Sequence, residues 1–189
     1  MKNSRIFLLA VFFFACTNKE NKDSVEIADS TNRANIDSAV NNNRITIDKA
    51  SASFLVDAAD LGMAEIDLGA LATQRASSQR VKDFASMIVS DHSATGDQIK
   101  LLAAEKNVRL PDSISSAKKK DIDDFKQMNK KGFDKAFMDR MVRDHEEAIK
   151  LFENALTGTK DTDVNSFADR SLMKLRIHLD SAKLLRSSL

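Results

Sequence analysis

From Ser53 onward the apolar positions recur every three or four residues, the spacing of a helix that buries one face. Phe54, Ala58, Leu61, Glu65, Leu68 and Ala72 form the first such stripe, with Ser53 placed to cap its start. Gly62 and Gly69 fall one heptad apart on this helix. Each costs ~1 kcal/mol relative to Ala, a cost that close approach of a neighbouring helix explains. Ser77-Ser78 breaks the run and caps a second helix reaching about Lys106, with the stripe Val81, Phe84, Ile88, His92, Thr95, Ile99 and Leu102. Asn107 and Pro111, the single proline, mark its stop. A shorter helix is predicted over Ser116 to Met128, ending toward Gly132. A third long helix spans Phe133 to Leu156, with Phe137, Met141, His145, Ala148 and Phe152 on one face and Thr157-Gly158 at its end. The fourth begins near Asp163 and carries Phe167, Ser171, Leu175, His178, Ala182 and Leu185. No alternating Val/Ile/Thr-rich segment of convincing length interrupts them, so strands are not expected. The pattern predicts an all-α, up-down four-helix bundle over residues 51–189, with one short extra helix between helices 2 and 3. That length suffices for a single domain with its own core.

The first fifty residues read differently. Lys2 and Arg5 precede a ten-residue apolar run, Ile6 to Ala15. A bilayer span needs about 20 residues, so the run suits the hydrophobic region of a signal peptide over residues 1–15. Ala15 then precedes Cys16, the single cysteine, an arrangement that resembles a bacterial lipoprotein signal cut before a lipidated cysteine. Phe13 departs from the Leu usual in that pattern, and an ordinary signal peptide with Cys16 incidental is the alternative. Thr17, rather than Asp, follows the cysteine and gives no inner-membrane retention signal. Residues 16–50 are rich in Asn, Ser, Asp and Lys, with Val25, Ile27, Ile36, Val40, Ile45 and Ile47 too sparse to organise a core. They are expected to form a flexible tether with a reach of about 30–35 Å.

Charge and composition narrow the partners. The whole chain carries a formal net charge of +1, and loss of residues 1–15 removes two basic and no acidic residues, leaving −1. Such balance gives no electrostatic reason to expect nucleic acid or a polybasic membrane patch. With Cys16 acylated the chain has no thiol, which excludes disulfides and thiolate catalysis. No glycine-rich phosphate loop or nucleophile elbow is present, and Trp and Tyr are absent. The dispersed methionines, Met63, Met87, Met128, Met138, Met141 and Met173, read as core filling.

One nine-residue pattern occurs twice: Phe84 to His92 (FASMIVSDH) and Phe137 to His145 (FMDRMVRDH) share Phe, an apolar pair and Asp-His at the same spacing. Two of the three histidines therefore occupy one repeated context. Together with Gly62-Met63-Ala64-Glu65, Val81-Lys82-Asp83-Phe84-Ala85, Leu110-Pro111, Gly132-Phe133-Asp134, Met141 to His145 and His178-Leu179, these segments resemble the bacterial "domain of unknown function 4142" family over roughly Phe54 to Leu185. The resemblance implies a ferritin-like fold, in proteins often labelled outer membrane proteins, and implies no established activity.

Glu65, His92, His145 and His178 each fall on the apolar stripe of a different helix. Core charges are costly unless paired or metal-bound, so the four need a common explanation. One is a mononuclear site for a Zn, Mn or Fe ion. Ferritin-like di-metal centres use Glu-x-x-His pairs, whereas Val89, Val142 and Leu175 stand three residues before these histidines; a di-iron centre is therefore not expected. Asp91 and Asp144 lie about 100° round their helices from the adjacent histidines and suit an outer shell or the surface. The other explanation is a hydrogen-bonded polar layer that fixes helix register. Two functions follow: a non-enzymatic, membrane-anchored envelope module with a binding or structural role, or a metal-binding or metal-sensing protein. Its expected partner is the lipid membrane through Cys16, and its expected address is the cell envelope, at the outer membrane facing the periplasm or the cell surface.

Overall fold

The computed structural model describes residues 23–44 and 46–189, and the regular structure among them is entirely helical. Six helices follow in order: α1 (Ser24–Asn41), α2 (Lys49–Arg75), α3 (Gln79–Lys106), α4 (Ser116–Gln127), α5 (Lys130–Gly158) and α6 (Thr162–Ser187). The signal peptide and Cys16 expected from the sequence lie outside the described residues.

Helices α2, α3, α5 and α6 form the bundle, with α2 and α6 each flanked by α3 and α5. Two short turns, residues 76–78 and 159–161, join α2 to α3 and α5 to α6 as antiparallel pairs. The start of α2 meets the second turn, where Asp48 accepts from Lys160 N–H at 3.1 Å. Lys106, at the end of α3, pairs with Asp161 and Asp163 at the start of α6, at 2.8 and 2.6 Å. Neighbours therefore run antiparallel all round, and residues 107–129, which carry α4, return the chain along the bundle to begin α5. Arg75 fixes that return: its guanidinium donates to the carbonyls of Phe125, Lys126 and Met128 and lies 5.3 Å from the Phe133 ring centroid.

Several boundaries differ from the sequence expectation. Helix α2 begins a turn before Ser53, because Asp48 accepts from the N–H groups of Ala50 and Ser51, both at 3.1 Å. The predicted Ser77-Ser78 cap makes no side-chain bond. Asp134 of α5 takes that role, accepting from Ser77 N–H at 2.9 Å and Ser78 N–H at 2.7 Å. Helix α5 breaks at Lys131–Gly132, where Gly132 adopts φ 152°, and runs on from Phe133 as predicted.

The expected flexible tether is corrected over residues 24–41, which form α1 packed on α2. Its buried stripe is only Ala28, Asn32 and Ile36, and the middle position is polar. Asn32 nonetheless works as a two-way clamp: its amide donates to Arg109 C=O and accepts from Arg109 N–H, each at 2.8 Å. Asp23 accepts from Ser116 N–H at 2.6 Å, and Ser24 Oγ accepts from Asp112 N–H at 2.8 Å. The helix is thus held by the backbone of the α3–α4 connection, a partnership that apolar periodicity does not reveal.

The core has two apolar halves. One gathers Phe54, Phe152 and Phe167, with the Phe54 and Phe152 rings edge to face at 4.9 Å. The other is built on Phe84, Phe133, Phe137 and Met141, with Phe133 and Phe137 stacked at 6.3 Å. Along every bundle helix the position between the two halves is ionisable: Glu65, His92, His145 and His178. Met173, expected in the core, is 68% exposed on α6.

The two glycines of α2 have different reasons. A Cβ at Gly69 would lie 2.9 Å from Val89 Cγ2 and 3.3 Å from the Ala85 carbonyl oxygen, so α2 and α3 approach closely there as predicted. At Gly62 nothing lies within 4 Å, and close packing does not account for it.

Candidate metal centre

The four ionisable residues converge. Glu65, His145 and His178 are at most 2% exposed and His92 is 7% exposed. One donor nitrogen from each of His92, His145 and His178 can be chosen so that all lie within 4.8 Å of one another. Two ligands of a single tetrahedral Zn stand about 3.3 Å apart. His145 Nε2 and His178 Nδ1 already do so, at 3.4 Å.

The hydrogen bonds decide which ring nitrogens are free. His145 Nδ1 donates to Met141 C=O, 2.9 Å away, the carbonyl one turn back on α5. His178 Nε2 donates to Asp91 Oδ2 at 2.9 Å, and Lys174 fixes that carboxylate from its other oxygen at 2.9 Å. Both partners accept only, so each ring carries its proton on the outward nitrogen and turns a lone pair inward. Two lone pairs then face each other at 3.4 Å, which is repulsive unless a cation or a proton lies between them. A proton is opposed by the surroundings. Burial pushes His178 down to about 4 and also lowers His145.

Glu65 sits behind the rings. Its oxygens lie 3.0 Å from His92 Nδ1 and 3.4 Å from His145 Nδ1, and it is not one of the three residues whose donor atoms cluster. Burial would push its carboxyl up, but the His92 imidazolium beside it outweighs burial and holds it down. Burial likewise opposes charge on His92, yet Glu65 overrides it and raises the imidazole. The 3.0 Å approach is a charge contact out of line with the N–H: neither Glu65 oxygen, nor His92 Nε2, has a hydrogen-bond partner among the described residues. With Nδ1 turned toward Glu65, His92 is left with a buried, unpartnered Nε2. The fit to a transition ion is therefore good: three imidazoles with free inner nitrogens, two of them fixed by outer acceptors.

The structure sorts the predicted residues accordingly. His92, His145 and His178 come together, and Glu65 contacts two of them from outside. Asp91 orients a histidine, though it is His178 across the bundle rather than its neighbour His92. Asp144 touches none of the three; its carboxylate takes Arg140 at 2.6 and 2.7 Å, and burial raises it to about 6 despite that pair. Lys174 was missed, although its place one turn before His178 was a readable signal. The Met141 carbonyl was not readable, since a backbone group leaves no mark in side-chain type.

Comparison with known proteins bears on the fold. The structure is similar to the "Crystal structure of DUF305 fragment from Deinococcus radiodurans", with a TM-score of 0.69 and 14% identity, covering 77% of this chain and 100% of that one. At that identity the likeness speaks for the helical architecture alone. No curated protein matches the chain. The repeated Asp-His segments, the Gly132–Asp134 corner and the late His178 all lie within residues 37–185, and over that span the chain matches "Domain of unknown function (DUF4142)", the family to which it belongs.

Proposed function

We propose that this chain is a non-enzymatic binding module that holds one transition-metal ion, Zn, Mn or Fe, on His92, His145 and His178. The supporting observation is the pair of inward lone pairs, His145 Nε2 and His178 Nδ1, 3.4 Å apart with both outer nitrogens committed. Glu65 balances the charge of the ion from the outer edge of two rings, and Asp91 orients the third. A di-metal centre would need two bridging carboxylates between the inward nitrogens, whereas Glu65 and Asp91 each meet the rings from their outer side.

Metal analysis of the protein purified without an affinity tag tests the reading. One equivalent of metal is expected, falling below a tenth in the His92→Ala, His145→Ala double variant. Added ion at about 1,000 times its Kd should stabilise the chelated protein by ~4 kcal/mol. Metal-free protein whose melting temperature ignores Zn, Mn and Fe refutes it. A second reading is favoured by the mutual pull of Glu65 and His92: a buried ion pair that fixes register without an ion.

The proposed setting is the cell envelope, with the chain anchored to a membrane through an acylated Cys16. None of the helices among the described residues is long and apolar enough to cross a membrane.

A further inference from the structure

Beside the histidine centre the bundle is open. A cavity of about 420 Å³ runs along α3 from the level of His92 and His178 to Leu110 and Pro111 of the α3–α4 connection. That volume falls within the range of small-molecule sites, about 300–1,000 Å³. From His178 to Arg170 on α6 is eight residues, a length of about 12 Å at the helical rise. Leu61, Ile99, Leu110, Phe152 and Leu175 give the cavity an apolar stretch of wall between its polar ends.

Two glycines make the space. Gly62 and Gly69 share one face of α2, and Gly69 meets Ala85 and Val89 of α3. One heptad along this antiparallel pair, Gly62 is therefore opposite the stretch of α3 that holds His92 and Gly96. Yet a Cβ at Gly62 or at Gly96 would find nothing within 4 Å, and both line the cavity. Each costs ~1 kcal/mol of helix propensity relative to Ala. Packing does not explain either one; an opening between α2 and α3 does.

Charge selects the occupant. Lys100, Arg170 and Lys174 line the cavity with Asp97 at its outer part, and Glu65 lines it at the histidine end, away from Arg170. Lys100 is paired with Asp97 and Lys174 with Asp91, each at 2.9 Å, whereas Arg170 is exposed and makes no ion pair or hydrogen bond among the described residues. We propose that this cavity binds a small amphipathic organic anion, its apolar body among Leu61, Phe152 and Leu175 and its anionic head at Arg170 and Lys174. The site does not require the metal, because none of the three histidines holds the anion; Lys174, which also pairs with Asp91, is the one residue the two sites share.

Calorimetric titration of the chelated, full-length protein with octanoate, octanol and octylammonium tests this. One octanoate per chain is expected, with octanol and octylammonium weaker. Arg170→Gln should weaken octanoate about fivefold, the ratio for one exposed charge contact. The Gly62→Leu, Gly96→Leu double variant should weaken it at least about tenfold while its melting temperature holds or rises, since leucine is the better helix former. Absence of octanoate binding, equal binding of octylammonium, or unchanged affinity in the folded double variant overturns the proposal. Binding that appears only after metal loading also overturns it, by moving the anionic head from Arg170 to the ion. Metal content unaffected by any of these results keeps the two readings separate.

Discussion

Alanine at Gly62 and alanine at Gly69 make the same chemical change on one face of α2, one heptad apart, and should move stability in opposite directions. In a helix interior the exchange gains ~1 kcal/mol from backbone entropy and propensity. At Gly62 the new methyl meets nothing within 4 Å, so the gain stands. At Gly69 it would lie 2.9 Å from Val89 Cγ2 and 3.3 Å from the Ala85 carbonyl oxygen. A valine in a helix has essentially one rotamer, and the carbonyl belongs to the α3 backbone, so the two helices must part. Overpacking of this kind costs about 1–3 kcal/mol, which turns the gain into a net loss of ~1 kcal/mol. Urea unfolding followed by far-ultraviolet circular dichroism, on chelated protein, measures the difference. The two variants should bracket the wild type, separated by about 2 kcal/mol, or roughly 4–8 °C in melting temperature for a chain of this size. If Gly69→Ala gains as much as Gly62→Ala, contact between α2 and α3 is not the reason for that glycine.

Acid should act through His178, whose imidazole burial holds down to about 4 against about 6.5 when unfolded. The unfolded chain then binds the extra proton between those values, so stability is full above pH 6.5 and lost as pH falls toward 4, by ~3 kcal/mol. In chelated protein the stability gap between wild type and His178→Gln should shrink by about that amount from pH 7.5 to pH 4; a gap independent of pH would show that His178 does not stay neutral. Cys16→Ser should move the protein from the membrane fraction to the soluble fraction on cell fractionation, and an unchanged distribution would remove the lipid anchor.

Much of the bundle was legible because its helices bury one regular face. The stripes beginning at Phe54, Val81, Phe137 and Phe167 each became a bundle helix, and a helix forms at Ser116–Gln127 where one was expected. Residues 24–41 were misread because the partner of Asn32 is a backbone segment 77 residues away. A polar side chain paired across such a distance looks the same in sequence as one facing water. The caps of α3 and α4 were hidden for the same reason, since Asp134 and Arg75 come from other elements.

The amino-acid order alone determined that one ionisable residue would sit on the buried stripe of each bundle helix, because a 3.6-residue period assigns faces without reference to neighbours. Height along the bundle was not so determined. Only the packing of four separate helices decided that His92, His145 and His178 share a level and that Glu65 stands outside them. The direction of each lone pair was likewise a tertiary matter, set by a carbonyl on α5 and by an aspartate that reaches His178 from α3. Ring orientation depends on the partner at the far nitrogen, and that partner is chosen by the fold.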